Sequence, residues 1–277
     1  MAAAAAAARP PPGTVVRLLR LTGFPILAQL QIEEALLRAT PDNWFVINDG
    51  TPKPSVVLGV SGKPHELVHL EAAAARHVPL IKRFTGGGTV VVDGDTIFTA
   101  LIMQQQSLPG VEAYPRPVMQ YTEDLYRSVF GSHGAFWLRE NDYCFGDRKF
   151  GGNAQAITKD RWLHHTSLLW DFKRDRMALL QQPAKQPAYR QGRHHLEFIL
   201  PLHEVLPCRR TLIDELCGSL ETAGFVVREA GLGDAERALA ANTLCGTRLL
   251  DMQQLLDGVG GRRQGEIGQQ ATAAAVL

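Results

Sequence analysis

The sequence is poor in cysteine and has none of the cysteine spacings that bind metals. Its four cysteines are scattered, without a CxxC pair and without a nearby histidine at zinc-ligand spacing. They are Cys144, Cys208, Cys217 and Cys245. This distribution argues for a reducing compartment and against a structural zinc ion, and we expect no metal ligands in the protein itself.

Long apolar runs and a strong charge imbalance are also absent. No run approaches the roughly 18 apolar residues that a membrane-spanning helix needs. The net charge of +1 creates no global field that would attract nucleic acid or an anionic membrane. Neither a Walker A loop nor a dinucleotide-binding fingerprint is present. We therefore expect a protein without a nucleic-acid or membrane partner.

Acidic residues are missing from the first 32 positions, whereas Arg9, Arg17 and Arg20 occur there. The first twelve residues are an alanine tract that ends in three prolines, a composition that cannot build a core. Two interpretations stay open: a mitochondrial transit peptide, or a plain disordered extension of a cytoplasmic protein. We expect a leader over residues 1–13, a catalytic domain over 14–257 and a flexible tail over 258–277.

Lysine is scarce, with seven among 277 residues, so a lysine inside a glycine-rich segment is notable. Two such segments stand out. Residues 82–88 read KRFTGGG between two strand-like runs, and residues 147–154 read DRKFGGNA. Glycines let backbone N–H groups approach a phosphate or carboxylate, and Arg83 can add a bidentate clamp. The two segments together predict a site for an anionic acyl group beside a nucleotide phosphate.

Hydrophobic periodicity predicts strands and helices in a mixed order. Expected strands cover residues 14–22, 44–47, 55–60, 80–83, 89–93, 96–103, 135–138, 143–145, 150–157 and 162–170. Expected helices cover residues 25–39, 64–77, 118–130, 209–223, 234–244 and 248–256, and residues 183–193 are expected to form a loop. Runs of adjacent strands between helices favour an α+β fold with a mixed, largely antiparallel sheet and flanking helices.

Three ordered motifs show which family the sequence resembles. They are KRFTGGGTVVVDGD at 82–95, NDYCFGDRKFGGNAQ at 141–155 and HHTSLL at 164–169. In this order and spacing the chain resembles the lipoate–protein ligase family, within the wider biotin/lipoate ligase fold, over residues 21–172 and more weakly to about residue 223. It departs from the family pattern at Lys82, Val92 and Thr166, where arginine, histidine and glycine are usual.

The resemblance implies a two-step reaction: lipoate and ATP give lipoyl-adenylate, and the lipoyl group then passes to a lysine of a lipoyl domain. It places the catalytic lysine at Lys149, whose charge would stand between a carboxylate and an α-phosphate. ATP with Mg²⁺ would be the cosubstrate and lipoate the substrate. The binding residues that it implies are Arg83, Thr85, Gly86, Gly87, Gly88, Thr89, Val90, Val91, Asp93, Asp95, Asn141, Asp142, Gly151, Gly152, Asn153, Ala154 and His165.

Individual roles within that set stay partly open. Arg83 and the 85–88 amides would hold the phosphates and the carboxyl end, and residues 89–91 would present an edge to the adenine. Asp93, Asp95 and Asn141 are candidates for adenine, ribose or Mg²⁺ contacts, or for ordering of the loop. Of the adjacent histidines at 164 and 165, only one can face the pocket, because successive strand residues point to opposite faces. The family match puts His165 there.

The resemblance also implies partners and rivals. The acceptors would be lipoyl-domain proteins, namely 2-oxoacid dehydrogenase E2 subunits and the glycine cleavage H protein. We expect the large C-terminal domain of bacterial ligases to be absent, and an accessory protein in its place is one expectation. The rival reaction is an ATP-independent lipoyl or octanoyl transferase with Cys144 as nucleophile. A non-catalytic binding module is disfavoured, because such a protein would be expected to lose the lysine or the glycines.

Overall fold

The computed structural model describes residues 8–182 and 186–258 and contains two β-sheets. The strands are β1 (Val15–Thr22), β2 (Trp44–Asp49), β3 (Ser55–Leu58), β4 (Leu80–Lys82), β5 (Val90–Val92), β6 (Thr96–Gln104), β7 (Phe136–Arg139), β8 (Asp142–Phe145), β9 (Arg148–Ile157), β10 (Arg161–Leu169), β11 (Val226–Ala230) and β12 (Arg248–Leu249). The helices are α1 (Ile26–Ala39), α2 (Pro64–Leu67), α3 (Leu70–Ala75), α4 (Pro115–Phe130), α5 (Arg174–Met177), α6 (His195–Phe198), α7 (Arg209–Thr222) and α8 (Leu232–Ala241).

The large sheet has eight strands in the order β11-β1-β2-β6-β10-β9-β8-β7, and the small sheet has four in the order β12-β4-β3-β5. Only β11/β1, β1/β2 and β3/β4 pair in parallel. All other neighbours are antiparallel. The expected α+β fold with a mixed, largely antiparallel sheet and flanking helices is confirmed, although the strands divide into two sheets.

Helices cover both faces of the large sheet, which explains the hydrophobic pattern of its inner strands. On one face α4 and α7 pack in a core with Phe45 and Trp162, both fully buried. On the other face α1 and α8 pack against residues that include Val46 and Leu163. A strand buried on both faces loses the alternation of polar and apolar residues, as the buried pattern of β2 shows.

The small sheet packs against the N-terminal half of α1 and against the large sheet. Ile26 and Leu30 of α1 form one buried cluster with Val57 of β3, Val92 of β5 and Phe98 of β6. The two sheets therefore meet along an apolar seam, and the cavity described below opens beside that seam.

Two helix predictions were wrong. The predicted helix over 64–77 is divided, because Val68 forms an isolated β-bridge with Leu180 and the amide of His69 donates to the carbonyl of Leu179. The predicted helix over 248–256 begins as strand β12, which pairs with β4, and residues 252–258 are helical. Strand β11 was missed, because its five residues VVREA carry too little apolar signal.

The chain ends fall partly outside the described residues. Positions 1–7 of the expected leader, 183–185 of the expected loop and 259–277 of the expected tail are not described. Within the leader, Ala8 packs against the main core cluster and Pro10 is buried. No helix in the described part of the chain is long and apolar enough to span a membrane.

Candidate active site

A cavity of about 1090 Å³ lies between the two sheets and collects most of the predicted site residues. Part of its wall is the segment that joins β4 to β5, and another part is formed by β9 and β10. Its apolar part includes Ile26, Leu30, Val57 and Phe98. Its polar part includes Lys149 and Asp142. A cavity with one apolar end and convergent polar groups is typical of a small-molecule site.

A β-bulge between β8 and β9 places Lys149 in this cavity. Tyr143 pairs with Gly151 and Cys144 pairs with Lys149, so Phe150 is the extra residue. Because of this extra residue, Phe150 packs in the aromatic core while Lys149 and Gly152 come together on the cavity side. A Cβ at Gly152 would lie 3.3 Å from Nζ of Lys149, so the glycine leaves room for the ammonium group.

The ammonium group of Lys149 pairs with a carboxylate on the neighbouring strand. Its Nζ lies 2.7 Å from Oδ1 of Asp142, and the two side chains are 27% and 9% exposed. The second oxygen of Asp142 accepts a hydrogen bond of 2.8 Å from the hydroxyl of Tyr189. Both carboxylate oxygens are therefore occupied, which fixes the position of the negative charge beside Lys149.

Cys144 lies behind this pair and is fully buried. Its thiol donates to the hydroxyl of Tyr189 at 3.3 Å. Burial raises the pKa of the Cys144 thiol to about 11, an effect that the nearby charge of Lys149 only partly opposes. The thiol is therefore protonated at neutral pH, and a protonated, buried thiol is a poor nucleophile.

The glycine loop, residues 85–89, is held in shape by Arg83. Arg83 is 4% exposed; its Nε donates to Oγ1 of Thr85 at 2.9 Å, and its Nη2 donates to the carbonyls of Gly86 and Gly88 at 2.9 and 2.8 Å. Burial lowers the pKa of Arg83 to about 10, opposed by the charge of Glu33. The side chain is thus charged at neutral pH and engaged with its own loop, whereas the sequence predicted a clamp on the ligand.

The loop requires glycine at position 87, because a larger residue would be strained there and would clash with its neighbours. Its φ is +101°, and a Cβ there would lie 2.8 Å from Nη2 of Arg83 and 3.0 Å from the carbonyl oxygen of Asn153. The loop also joins the large sheet, since the amide of Gly86 donates to the carbonyl of Gln155 at 3.1 Å. The glycine turn is therefore preformed between both sheets.

His165 faces the cavity and is held from behind by a buried carboxylate. Its Nδ1 lies 2.9 Å from Oε2 of Glu33, and Oε1 of Glu33 accepts a hydrogen bond from Nε2 of Gln29 at 2.7 Å. Asn48 extends this series of hydrogen bonds, because its Nδ2 donates to Oε1 of Gln29 at 2.8 Å. Glu33, Gln29 and Asn48 are all fully buried. This network fixes the ring of His165 at the cavity wall.

His164 points to the opposite face, as the alternation of the strand predicts. It is buried, with Nε2 3.2 Å from Oγ1 of Thr122 and Nδ1 3.0 Å from Nε2 of Gln155. Burial, together with the neighbouring His165, lowers the pKa of His164 to about 3. The ring is neutral at physiological pH and supports Gln155, whose side chain also donates to the carbonyl of Pro115 at the cavity edge.

The structure brings most of the predicted site residues to the cavity. Those that line it are Arg83, Gly86, Gly87, Gly88, Thr89, Val90, Val91, Asn141, Asp142, Lys149, Gly152, Asn153, Ala154 and His165. Thr85 is buried beneath the loop as the partner of Arg83, and a Cβ at Gly151 would meet Tyr143 and Leu168 instead of the cavity. Their assignment to ligand binding stays a prediction.

Asp93 and Asp95 lie apart from the cavity wall. The carboxylate of Asp93 is paired with Arg176, and Oδ1 of Asp95 lies 3.8 Å from Nη1 of Arg209. In the described part of the chain, no group of three or more His, Cys, Asp or Glu side chains is arranged to hold a metal ion. Of the roles left open for these aspartates, the geometry favours ordering of the β5–β6 turn, where the amide of Asp95 donates to Asp93 at 2.9 Å.

Sequence reasoning missed Tyr189 and Glu33. Tyr189 follows a segment with no recognisable motif, and Glu33 lies within a helix whose apolar pattern gives no reason to single it out. Both reach the site from more than forty positions away from the residues that they contact. Their only sequence signal is their polarity, which many exposed residues share.

Comparison with known proteins identifies the family. The family model for the lipoyl protein ligase A/B catalytic domain matches residues 25–214. A curated relative named inactive lipoate–protein ligase 2, from Plasmodium falciparum, is 27% identical over 253 residues. The match covers 70% of this chain and 66% of that relative, so the chain spans just under two thirds of the relative's length.

Solved structures show the same fold at low sequence identity. A bi-partite lipoate protein ligase from Thermoplasma acidophilum, described with its E2 lipoyl domain, superimposes with a TM-score of 0.67 and 18% identity over 83% of this chain and 90% of that one. A lipoate-protein ligase A bound with ATP superimposes with a TM-score of 0.65 and 19% identity over 82% of this chain and 92% of that one. The fold and the matched family model agree, and the chain belongs to the lipoyl protein ligase A/B catalytic-domain family.

Proposed function

We propose that the protein is a lipoate–protein ligase that activates lipoate with ATP and transfers the lipoyl group to a lysine of a lipoyl domain. The observation that carries this proposal is the position of Lys149. Its ammonium group is held by Asp142 in a cavity that the preformed glycine turn also lines. A positive charge that shares a cavity with a glycine turn suits a reaction that joins two anions.

In the first step, a carboxylate oxygen of lipoate attacks the α-phosphorus of ATP. A new O–P bond forms, the bond to the bridging oxygen breaks, and pyrophosphate leaves with the electron pair. Lys149 would screen the repulsion between the two anions and stabilise the charge of the transition state. A lysine suits this task because its ammonium group is a mobile point charge.

Magnesium enters this scheme with ATP, as part of the substrate complex. Asp93 and Asp95, which the sequence left open as Mg²⁺ contacts, face Arg176 and Arg209. With arginine partners they do not fit a metal-ligand set. The chain's own contribution to phosphate binding would be the glycine turn and the ammonium group of Lys149.

The apolar end of the cavity suits an acyl chain. Ile26, Leu30 and Phe98 are at most 2% exposed and line the cavity on the α1 side. Each methylene group that moves from water into such surroundings contributes about 0.8 kcal/mol. This end therefore favours a medium-length aliphatic acid over a short one, and both lipoate and octanoate fit that description.

In the second step, the amine of an acceptor lysine attacks the carbonyl carbon of the mixed anhydride, the C–O bond to phosphate breaks, and AMP leaves. Deprotonating that amine at pH 7 costs about 4.6 kcal/mol from a pKa of ~10.4. The activated anhydride makes this cost tolerable, and Lys149 would stabilise the oxyanion. A structural neighbour is described with an E2 lipoyl domain, which supports lipoyl-domain proteins as acceptors.

The rival transferase reaction receives no support from Cys144. That reaction needs a thiolate that can reach an acyl donor, whereas Cys144 is fully buried with a pKa near 11. A family member named inactive shows that the fold alone does not guarantee turnover. The proposal for this chain therefore depends on the lysine, the aspartate and the glycine turn that it presents.

The first prediction concerns Lys149. We expect Lys149→Met to abolish pyrophosphate release from lipoate and Mg²⁺–ATP, by at least about a hundredfold, because it removes the charge where two anions meet. Lys159→Met is the matched control, since Lys159 is exposed in the turn between β9 and β10. The measurement is a coupled pyrophosphate assay on variants whose thermal unfolding shows an intact fold. Near-normal pyrophosphate release from folded Lys149→Met would contradict the assignment.

A further inference from the structure

Residues 186–200, the crossing segment, run across strands β8 and β9. This crossing segment is fastened along the start of β9. The amide of Leu200 donates to the carbonyl of Lys149 at 2.7 Å, and Nη1 of Arg193 lies 2.9 Å from Oδ2 of Asp147. At its other end, the amide of Ala188 donates to the side chain of Glu140 at 2.6 Å. The segment is therefore held at both ends across the strands that carry Asp142 and Lys149.

Tyr189 is the residue of the crossing segment that reaches the site. Its ring lies between Phe198, with a centroid distance of 5.2 Å, and the guanidinium group of Arg139, 4.9 Å from the centroid. Its hydroxyl accepts from the Cys144 thiol and donates to Oδ2 of Asp142. The ring is thus fixed from two sides, and the hydroxyl is aimed at the carboxylate that holds Lys149.

We propose that Tyr189 is a positioning residue for adenylate formation, acting on Lys149 through Asp142. This inference rests on the function proposed above. A carboxylate with one partner rotates easily about its terminal torsion, whereas hydrogen bonds to both oxygens leave one orientation. Tyr189 fixes Oδ1 of Asp142 where it meets Nζ of Lys149. The ammonium group is then held ready for the two anions and does not move among its rotamers.

The hydroxyl is suited to this role across the working pH range. Burial, together with the adjacent charge of Asp142, raises the pKa of Tyr189 well above its ordinary value. The hydroxyl therefore keeps its proton and stays a donor to the carboxylate. The thiol of Cys144 donates to the hydroxyl oxygen of Tyr189 and so directs the hydroxyl proton toward Asp142. This gives Cys144 a structural role that does not require nucleophilicity.

The test is Tyr189→Phe, which removes the hydroxyl and keeps the ring between Phe198 and Arg139. The variant loses a hydrogen bond to a charged carboxylate. We therefore expect the kcat for pyrophosphate release to fall by about tenfold to a hundredfold. The KM for lipoate should stay within about twofold, because Tyr189 does not line the cavity. Tyr114→Phe is the control: it removes the hydroxyl of a tyrosine that is 67% exposed and does not line the cavity, and it should stay close to wild type.

A double-mutant cycle separates positioning from packing. Tyr189→Phe is repeated in an Asp142→Ala background, in single turnovers with excess enzyme so that slow rates are recorded. If Tyr189 acts through Asp142, its removal has no further effect there. An equal fold-loss in both backgrounds, or a wild-type kcat in Tyr189→Phe, would overturn the inference and leave the proposed function intact. No pyrophosphate from the wild-type protein would overturn the proposed function and this inference with it.

Discussion

Lys149 shows how far one residue's role depends on its neighbours. Seven lysines occur in the chain, and this one is distinguished by what surrounds it: the carboxylate of Asp142, the open space above Gly152 and the hydroxyl of Tyr189 behind the carboxylate. The sequence identified Lys149 through its motif. It could not identify Tyr189, because only the fold brings position 189 to position 142.

The sequence identified Arg83 as a site residue but did not predict the contacts that its side chain makes within the protein. The motif predicted a residue that contacts the ligand, which stays a prediction; in the structure the guanidinium group binds the carbonyls of its own loop. A guanidinium group beside three glycines can point into the ligand cavity or toward the carbonyls of its own loop, and the burial of Arg83 accompanies the second arrangement. At 4% exposure, Arg83 shapes the turn from inside.

The cysteines provide a prediction at the residue scale. We expect iodoacetamide at pH 8 to label Cys208 first and the two buried cysteines, Cys144 and Cys217, last in the native protein. Cys208 is exposed, and hydrogen bonds from Thr211 lower its thiol pKa, whereas burial raises that of Cys144 to about 11. Peptide mass spectrometry after timed quenching measures the order. Rapid labelling of Cys144, together with loss of activity in Cys144→Ser, would revive the transferase reaction.

Among the structural elements, the regular ones could be predicted and the irregular ones could not. The amphipathic pattern of α4 and α7 and the apolar runs of β2 and β6 indicated their positions to within a few residues. The bulge at Phe150 has no sequence signature, although it decides which face of β9 carries Lys149. The break between α2 and α3 depends on a β-bridge to Leu180, a partner more than a hundred positions away.

The glycine loop provides a prediction at the scale of one element. Gly87→Ala should lower the free energy of unfolding by about 1–3 kcal/mol, because it places a side chain at positive φ and against Arg83. Gly88→Ala is the matched control, since a Cβ at Gly88 meets nothing within 4 Å. Its stability should stay within about 0.5 kcal/mol of wild type. Urea unfolding measures both, and equal stabilities would contradict the preformed turn.

At the scale of the whole molecule, the cavity is a product of topology. Its walls come from α1, from both sheets and from the crossing segment, so no contiguous stretch of sequence contains it. The motifs predicted the family, and most of the residues that they single out line the cavity. The division into two sheets and the buried network behind His165 required the structure, because they depend on pairings between distant strands.

We propose above all that this chain uses ATP to attach lipoate to a protein. The most direct measurement is intact-mass spectrometry of a lipoyl domain after incubation with the pure protein, lipoate and Mg²⁺–ATP, with each component omitted in turn. We predict one lipoyl adduct on the acceptor lysine, lost when ATP or lipoate is omitted, and restored without ATP by synthetic lipoyl-adenylate. An unmodified acceptor with lipoyl-adenylate supplied, or modification that proceeds from lipoate without ATP, would contradict the account.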